Sequence, residues 1–182
     1  MDPLTGEHVA LDLVNTRTAD GDLLATADDL RVWLELEAGR VGDGGDWIPG
    51  DGDLAAVRSV REDTSALLRA LRAGKRPPVA ALDGLVEAQR RAPATTVPVW
   101  EGDVLSAVRV RAGGPGERLA AALAEAAVEF AGSAELARLR ECEAGDCVLL
   151  FVPAHPRRRW CSPARCGNRV RVARHYHRHK DV

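Results

Sequence analysis

Four cysteines near the end of the sequence limit the folds open to this 182-residue chain more than any other feature. They fall in two pairs, Cys142 with Cys147 and Cys161 with Cys166, with four residues inside each pair and thirteen between the pairs. Two closely spaced pairs supply the four ligands of a tetrahedral ion at a small cost in loop entropy. The spacing therefore predicts one structural Zn²⁺ ion held by all four cysteines.

Other arrangements of four cysteines are open at this point. A redox pair normally has the spacing Cys-x-x-Cys, which the sequence lacks. Two disulfides fit poorly in a cytoplasmic chain, which we expect because Met1-Asp2-Pro3 does not resemble the start of a signal peptide. An iron–sulfur cluster also takes four cysteines. Four histidines are candidate substitute ligands, although four thiolates already complete a zinc shell: His155, His175, His177 and His179.

The residues around the cysteines predict a small finger. Residues 148–152 are predicted to form a strand, residues 153–156 a turn and residues 157–160 the returning strand. Ser162 and Pro163 then suit the N-cap and first position of a helix that carries the last cysteine. A hairpin and a helix around one ion form a treble-clef-like fold, and a segment of this size needs such a staple.

The preceding residues predict a mainly helical domain with one small β-hairpin. Apolar residues recur at intervals of three and four over long stretches, and Thr26 with Asp29 suits the start of a helix. β-branched residues on both sides of Glu101-Gly102-Asp103 predict the hairpin. We therefore predict an α+β protein with two domains, residues 1–138 and residues 139–182. Predicted helices after the first cover residues 53–71, 79–90, 117–131 and 134–140.

Charge is divided unequally along the chain, although the net charge is only −2. Residues 1–140 carry a net −7, whereas residues 141–182 carry +5 and have no acidic residue between Val148 and Lys180. A basic finger is a typical electrostatic footprint of nucleic-acid binding, and arginine forks suit phosphates and guanine edges. The alternative is a solvated face, or one that docks on the acidic domain. The candidate contacts are Arg157, Arg158, Arg159, Arg165, Asn168, Arg169, Arg171, Arg174, Arg178 and Lys180.

Several motifs of the chain resemble a known family. Arg159-Trp160-Cys161-Ser162 and Cys166-Gly167-Asn168-Arg169, followed by a basic helix, resemble the CGNR zinc finger of bacterial proteins. Residues 11–17 and 24–30 resemble the ABATE domain that usually precedes this finger. The resemblance implies a stress-induced transcription regulator, with the four cysteines as zinc ligands and Arg169 with its basic neighbours as DNA contacts. Pro153 stands where the family often has an acidic residue, so no contact of that carboxylate carries over.

Three polar residues, Asp12, Asn15 and Arg17, lie in or next to an otherwise apolar segment, residues 8–16, whose type the sequence leaves ambiguous. They are candidates for a small-molecule sensing site that would control the finger. The competing interpretation is capping and domain packing, which is the commoner role because Asp and Asn often bind nearby backbone amides.

The sequence predicts a regulator rather than an enzyme. It has no Gly-x-Ser-x-Gly, no phosphate-binding glycine loop and no His-Glu-x-x-His, and a closed Cys₄ shell leaves no position for a reacting water. No apolar stretch approaches the length of a membrane span. We predict a cytoplasmic protein that binds nucleic acid, DNA rather than RNA, under the control of a ligand or stress signal, with a homodimer as a further expectation. The alternatives are an RNA-binding protein and a protein-interaction module whose zinc is purely structural.

Overall fold

The computed structural model of the chain describes residues 5–41 and 47–180, without the side chains of residues 174, 175 and 177–180. It confirms the α+β class, because helices dominate and the strands form three two-stranded antiparallel sheets, β1–β2, β3–β4 and β5–β6. The helices are α1 (Val9–Val14), α2 (Ala27–Leu36), α3 (Asp51–Arg72), α4 (Val79–Arg91), α5 (Pro115–Ala131) and α6 (Asn168–Lys180). The strands are β1 (Arg17–Thr18), β2 (Gly21–Asp22), β3 (Ala94–Glu101), β4 (Val104–Arg111), β5 (Arg140–Glu141) and β6 (Leu150–Phe151). No helix in the described ranges is long and apolar enough to cross a membrane.

The main core lies where α3, α4 and α5 pack against one another, with α1 crossing α3 and α5. Apolar residues at intervals of three and four give α3 a buried stripe, and the many alanines of α5 let its neighbours approach closely. Trp33 of α2 and Phe130 of α5 are the largest aromatic side chains in this core. The ambiguous segment 8–16 proves to be mostly helix, because α1 buries both of its faces.

Local signals in the sequence located the helix starts, with three corrections. Thr26 and Asp29 form the predicted reciprocal capping box at the start of α2. The third helix begins at Asp51 rather than Asp53, because the Asp53 carboxylate accepts the Gly50 amide and so belongs to the first turn. Helix α5 begins at Pro115 rather than Glu117, because the Glu117 carboxylate accepts the Gly114 amide and so belongs to the first turn. The predicted helix at 134–140 is a short 3₁₀ turn, Ala134–Arg138, since residue 140 is already in β5. Residues 42–46 of the predicted Gly/Asp-rich loop lie outside the described residues.

A buried arginine of α3 holds the β1–β2 hairpin. The Arg61 side chain is only 2% exposed, and it donates to both carboxylate oxygens of Asp22, at 2.5 and 2.8 Å, and to the Thr16 hydroxyl. Burial alone would raise the pKa of Asp22, but the hydrogen bonds from Arg61 bring that pKa well below its usual range. Removing Asp22 would leave the buried Arg61 guanidinium with the exposed Glu62 carboxylate as its ionic partner, which is costly.

Asn15 joins the C-terminal segment to the helical domain. Its side-chain nitrogen donates to the Leu150 carbonyl at 2.8 Å, and its side-chain oxygen accepts the Leu150 amide, also at 2.8 Å. Both residues are buried, so the asparagine amide takes the place of a neighbouring strand along the outer edge of β6. The two domains are therefore packed on each other through paired polar groups.

Ion pairs at two further points strengthen this contact. The Glu7 carboxylate accepts the Val152 amide at 3.0 Å and pairs with the Arg158 guanidinium at 2.9 Å. On the other side, Arg69 and Arg72 of α3 both reach the Glu141 carboxylate in β5. The contacts come from three separate parts of the helical domain, so the finger is fixed in orientation as well as in position.

Two buried carboxylates share one arginine between α1 and the end of α2. Asp12 and Glu37 are both fully buried, and Arg40 donates to them at 2.7 and 2.5 Å. Burial, together with the nearby charge of Asp12, raises the pKa of Glu37 to about 7. One oxygen of Glu37 has no hydrogen-bond partner among the described residues. The protonated form of Glu37 is therefore favoured by folding.

Replacing Asn15 by alanine should weaken the domain contact, because it leaves the buried amide and carbonyl of Leu150 without partners. We expect a loss of about 2 kcal/mol in the free energy of unfolding, measured by urea titration of the zinc-loaded protein. Arg17→Ala is the matched control: it removes an exposed ion pair with Asp22 and should cost less than about 1 kcal/mol. Equal losses in the two variants would contradict the role given to Asn15.

The Glu37→Gln variant should change how stability depends on pH. The folded pKa of Glu37 lies above the ordinary value of 4.5, so the folded chain binds more protons than the unfolded chain between that value and about 7. Its stabilising contribution is complete below pH 4.5 and is lost as the pH rises through 7. At pH 8 the free energy of unfolding of the variant should exceed that of the wild type by on the order of 1–3 kcal/mol. At pH 5 the difference between the two free energies should be smaller. Urea titrations at both pH values decide this; an equal difference at both would contradict it.

Candidate metal centre

The four cysteine side chains converge on one point, as their spacing predicts. The ligand atoms of Cys142, Cys147, Cys161 and Cys166 all lie within 4.8 Å of one another. The Sγ of Cys161 is 3.8 Å from that of Cys147 and 3.6 Å from that of Cys166. Zinc–sulfur bonds of about 2.3 Å give a tetrahedron with sulfur–sulfur edges of about 3.8 Å. The arrangement therefore fits one tetrahedral Zn²⁺ ion as a structural cofactor.

The geometry also decides between the arrangements that the sequence left open. All four cysteines are free thiols, and sulfurs 3.6–3.8 Å apart are far beyond the disulfide bond length of about 2.0 Å. An iron–sulfur cluster places several metal ions and sulfides between its thiolates and needs a wider cage than a single ion does. The group of potential ligands in the described residues contains only cysteines, although His175, His177 and His179 lie outside the described side chains.

The electrostatics of the site call for a cation. A hydrogen bond from Cys161 lowers the pKa of the half-buried Cys147 to about 5, which favours a thiolate at this position. The hydrogen bond to Cys147 and burial raise the pKa of Cys161 far above its usual range, and burial raises that of Cys166 to about 12. Four thiolates cannot ionise together at these distances without a positive charge among them. A divalent ion supplies that charge and would displace the remaining protons.

Backbone hydrogen bonds set each cysteine in place. The Cys142 amide donates to the Leu149 carbonyl at 2.9 Å, which closes the loop that carries the first two ligands. The Cys161 amide points at the Cys142 sulfur at 3.4 Å and links the two pairs. Cys166 lies in a π-helical turn, Pro163–Gly167, which continues directly into α6. These backbone contacts thus direct the four sulfurs toward one point.

Sequence signals for the last ligand are confirmed. The Ser162 hydroxyl accepts the Arg165 amide at 3.3 Å, and Pro163 occupies the first position, as predicted for a helix start. Gly167 follows the ligand at a point where a Cβ atom would lie 3.4 Å from the Trp160 ring. This is an ordinary van der Waals distance, so the turn lies directly against the ring. A second small core surrounds the sulfurs, with contributions from Ala144, Leu149, Phe151, Trp160 and Val170.

The predicted hairpin of residues 148–152 and 157–160 is wrong. The strand here is only β6, and it pairs with β5, with Arg140 opposite Phe151 and Glu141 opposite Leu150. Residues 157–160 form no strand, and Pro153 and Pro156 remove two amides that a returning ladder would need. A turn bond from the Arg158 amide to the His155 carbonyl redirects the chain instead.

The candidate nucleic-acid contacts separate into two groups. Arg158 is half-buried: its guanidinium lies 4.6 Å over the Phe151 ring, pairs with Glu7 and binds the Trp160 and Cys161 carbonyls. The other described candidates are exposed on the finger. These are Arg157, Arg159, Arg165, Asn168, Arg169 and Arg171, whereas the side chains of Arg174, Arg178 and Lys180 lie outside the described residues.

Most of the exposed arginines have a partner nearby on the surface. Arg159 pairs with Glu143 and lies over the Trp160 ring, and Arg171 binds the Asn168 side chain. Arg169 pairs with Asp146 at 2.8 Å and also points at the Cys166 sulfur at 3.5 Å. Arg169 therefore lies between a metal ligand and the solvent-exposed face. Arg165 and Arg169 line a cleft of about 480 Å³ between the metal centre and the β1–β2 turn.

The three candidate ligand-binding residues do not share one site. The Asp12 carboxylate accepts the Gly6 and Glu7 amides and pairs with Arg40, whereas Asn15 binds Leu150. Arg17 is exposed and pairs with Asp22. The polar atoms of all three thus have partners within the chain, as the packing interpretation expects. Sequence reasoning missed Glu7, since its partner Arg158 is 151 residues away and no local pattern connects them.

Comparison with protein families agrees with this geometry. Residues 7–134 match the ABATE family model, described as a putative stress-induced transcription regulator. Residues 138–179 match the model of the CGNR zinc finger. A search of curated proteins finds no match to the chain.

The purified protein should carry one zinc ion per chain. Cys161→Ser removes a ligand itself, so it should lower the zinc affinity by more than the 10–100-fold typical of losing a hydrogen-bond partner of a ligand. Cys161 is the test position because its sulfur lies close to those of two other ligands. Metal analysis gives the stoichiometry, and the spectrum of the Co²⁺-loaded protein reports how many thiolates bind. His155→Ala should leave both measurements unchanged. Full zinc occupancy and an unchanged cobalt spectrum in Cys161→Ser would contradict the Cys₄ site.

Proposed function

Because the chain belongs to the ABATE family and carries a CGNR zinc finger, we propose that it is a cytoplasmic transcription regulator that binds DNA through the finger. The observation that carries the proposal is a basic surface on a metal-stapled scaffold. Residues 141–182 carry a net charge of +5, and the described arginines other than Arg158 are exposed there. Neutralising phosphates with arginine releases counterions and drives binding at low salt.

The surface ion pairs of the finger leave its arginines available to phosphate. The Arg169–Asp146 and Arg159–Glu143 pairs are largely exposed, and exposed pairs contribute at most about 1 kcal/mol. A phosphate takes two parallel hydrogen bonds from an arginine fork and competes well with such a pair. Arg158 differs because Glu7 and two carbonyls enclose it. We therefore assign Arg158 to domain docking, and the exposed arginines to DNA.

Control by a signal would act through the contact between the domains. Asp12 and Asn15, two of the candidate ligand-binding residues, are also links in that contact: Asp12 holds the amide of Glu7, and Asn15 holds Leu150. A ligand that competed for these side chains would loosen the finger from the helical domain. Such control would require no catalytic residue, and the closed Cys₄ shell leaves the metal no open position for a substrate.

A protein-interaction module is the second candidate function. The exposed Arg159 and the half-buried Trp160 beneath it would then contact an acidic protein, since aromatic and arginine side chains are frequent at interfaces. Direct binding to a labelled DNA duplex discriminates the two functions, because a protein-interaction module needs no affinity for free DNA. RNA is discriminated from DNA by direct competition between the two with matched sequences.

The triple variant Arg159→Ala, Arg165→Ala, Arg171→Ala should bind a labelled DNA duplex far more weakly than the wild type. Each lost phosphate contact should lower the slope of log affinity against log salt by about 0.9. The matched control, Arg31→Ala, Arg90→Ala, Arg118→Ala, removes three exposed arginines of the helical domain and should leave the slope unchanged. Fluorescence anisotropy at several salt concentrations gives both slopes.

Three results would contradict the proposal. The first is no binding of DNA at low salt by the zinc-loaded protein. The second is equal weakening in the finger variant and in the control variant. The third is a consistent preference for RNA over DNA of the same sequence, which would establish the alternative of an RNA-binding protein.

A further inference from the structure

The β3–β4 hairpin stands apart from both cores. None of its strand residues is buried, and several large apolar side chains are open to solvent: Trp100 is 70% exposed, Val104 64% and Leu105 57%. The pairing of Val97 with Val108 and of Val99 with Ser106 places five valines on one face of the ribbon. An isolated two-stranded hairpin is only marginally stable in water. Three of these valines, Val104, Val108 and Val110, are exposed, so a hairpin of eight residues per strand with this face is incomplete by itself.

The two outer edges of this hairpin are not equivalent. Glu101 pairs with Val104 across the two-residue turn, and the Ala112 amide donates to the Pro93 carbonyl. Both pairs are hydrogen-bonded, and in an antiparallel hairpin hydrogen-bonded pairs alternate with pairs that are not. The residues of the pairs in between direct their amides and carbonyls away from the hairpin.

Pro98 falls on the outer edge of β3. Its partner in the register is Ala107, and this pair is one of those whose backbone groups point away from the hairpin. Since proline has no amide hydrogen, the outer edge of β3 lacks a donor at its centre. The outer edge of β4 has no such interruption and presents the amides of Leu105, Ala107 and Arg109. The β3–β4 hairpin thus has one edge suited to further pairing.

We propose that a second copy of this chain pairs with β4 in the antiparallel direction, giving a four-stranded sheet in the order β3–β4–β4–β3. One open edge per chain produces a closed dimer with a two-fold axis, because the outer β3 strands end the sheet at Pro98. The valine faces of the two hairpins then form one continuous surface. The proposal concerns self-association and is independent of DNA binding.

Charge complementarity supports the antiparallel direction. The tip of the hairpin carries Glu101 and Asp103, whereas its base carries Arg109 and Arg111, which share the single carboxylate of Glu125. Antiparallel pairing brings the acidic tip of each hairpin to the basic base of the other, whereas parallel pairing would oppose the two acidic tips.

A two-fold axis near Ala107 satisfies this pattern. It places the outward-facing backbone of Leu105 opposite that of Arg109 in the other copy, and Asp103 opposite Arg111. On the valine face it brings Val104 against Val110 of the second copy. Ala107 itself, the smallest side chain at the centre of the edge, meets its own counterpart.

The experiment compares two proline substitutions by analytical ultracentrifugation of the full, zinc-loaded chain over a range of concentrations without nucleic acid. Ala107→Pro removes an outward amide from the open edge and should weaken dimerisation at least tenfold. Thr96→Pro removes an outward amide from the edge already interrupted by Pro98 and should leave dimerisation unchanged within twofold. Neither position donates within the hairpin, so both variants should keep the wild-type circular dichroism and zinc content.

Cross-linking gives a second, independent measurement. Ala107→Cys should form a disulfide-linked dimer on mild oxidation, because directly opposed residues lie about 5.5 Å apart between Cα atoms. Thr96→Cys, equally exposed on the other strand, should stay monomeric on a denaturing gel. A monomeric wild type at 100-fold above the highest concentration used for binding would overturn the proposal. So would equal effects of the two prolines, or cross-linking through residue 96.

Discussion

The sulfur atoms of four cysteines, three of them buried, lie within 4.8 Å of one another and are stable together only around a cation; the structure of the finger follows from that requirement. Its strands are two residues long and its separate core is small, so neither hydrogen-bond ladders nor apolar burial could hold it. The metal ion supplies the stability that hydrogen-bond ladders and a large apolar core supply elsewhere. It joins the loop of the first pair to the turn that begins α6, and thereby sets the direction of the basic helix.

The domain contact explains why the finger is not an independent unit. Asn15 acts as a strand partner for Leu150, and Glu7 holds Arg158, so residues near the start of the chain complete the backbone hydrogen bonding of the finger. A consequence is that the net charge of residues 141–182 overstates how basic the surface of the finger is, because Arg158 neutralises the Glu7 carboxylate between the domains. What remains exposed is a smaller set of arginines whose surface partners are weak.

The β3–β4 hairpin shows a different balance. Elsewhere in the described residues, the larger apolar side chains mostly lie in one of two cores, but this ribbon leaves three of its valines and Trp100 open to solvent. Pro98 protects one edge against further pairing, as is usual for strands that must not extend a sheet. The outer edge of β4 has no proline, so the hairpin combines an apolar face with one edge at which a further strand can pair. Both properties are those of an interface.

Local patterns in the sequence were sufficient where the cause of structure is itself local. The spacing of the cysteines predicted the metal site, Thr26 and Ser162 located helix starts, and the β-branched runs around Gly102 predicted the hairpin that forms. The incorrect prediction of a strand has a cause that is not local. The strand expected at residues 157–160 failed because β6 found its partner in β5, and a short strand cannot show which segment it will pair with.

The sequence by itself determined the ligands, the class of fold, the order of its elements and the basic character of the finger, since these depend on residue type and short-range spacing. Only the tertiary structure decided which polar residues form hydrogen bonds and ion pairs inside the protein. Asp12, Asn15 and Arg158 are bound to groups far away along the chain, and such contacts arise from how helices and loops pack rather than from any periodicity. The same packing left the valine face of the hairpin uncovered, because whether an apolar face is buried depends on what the rest of the chain brings to it.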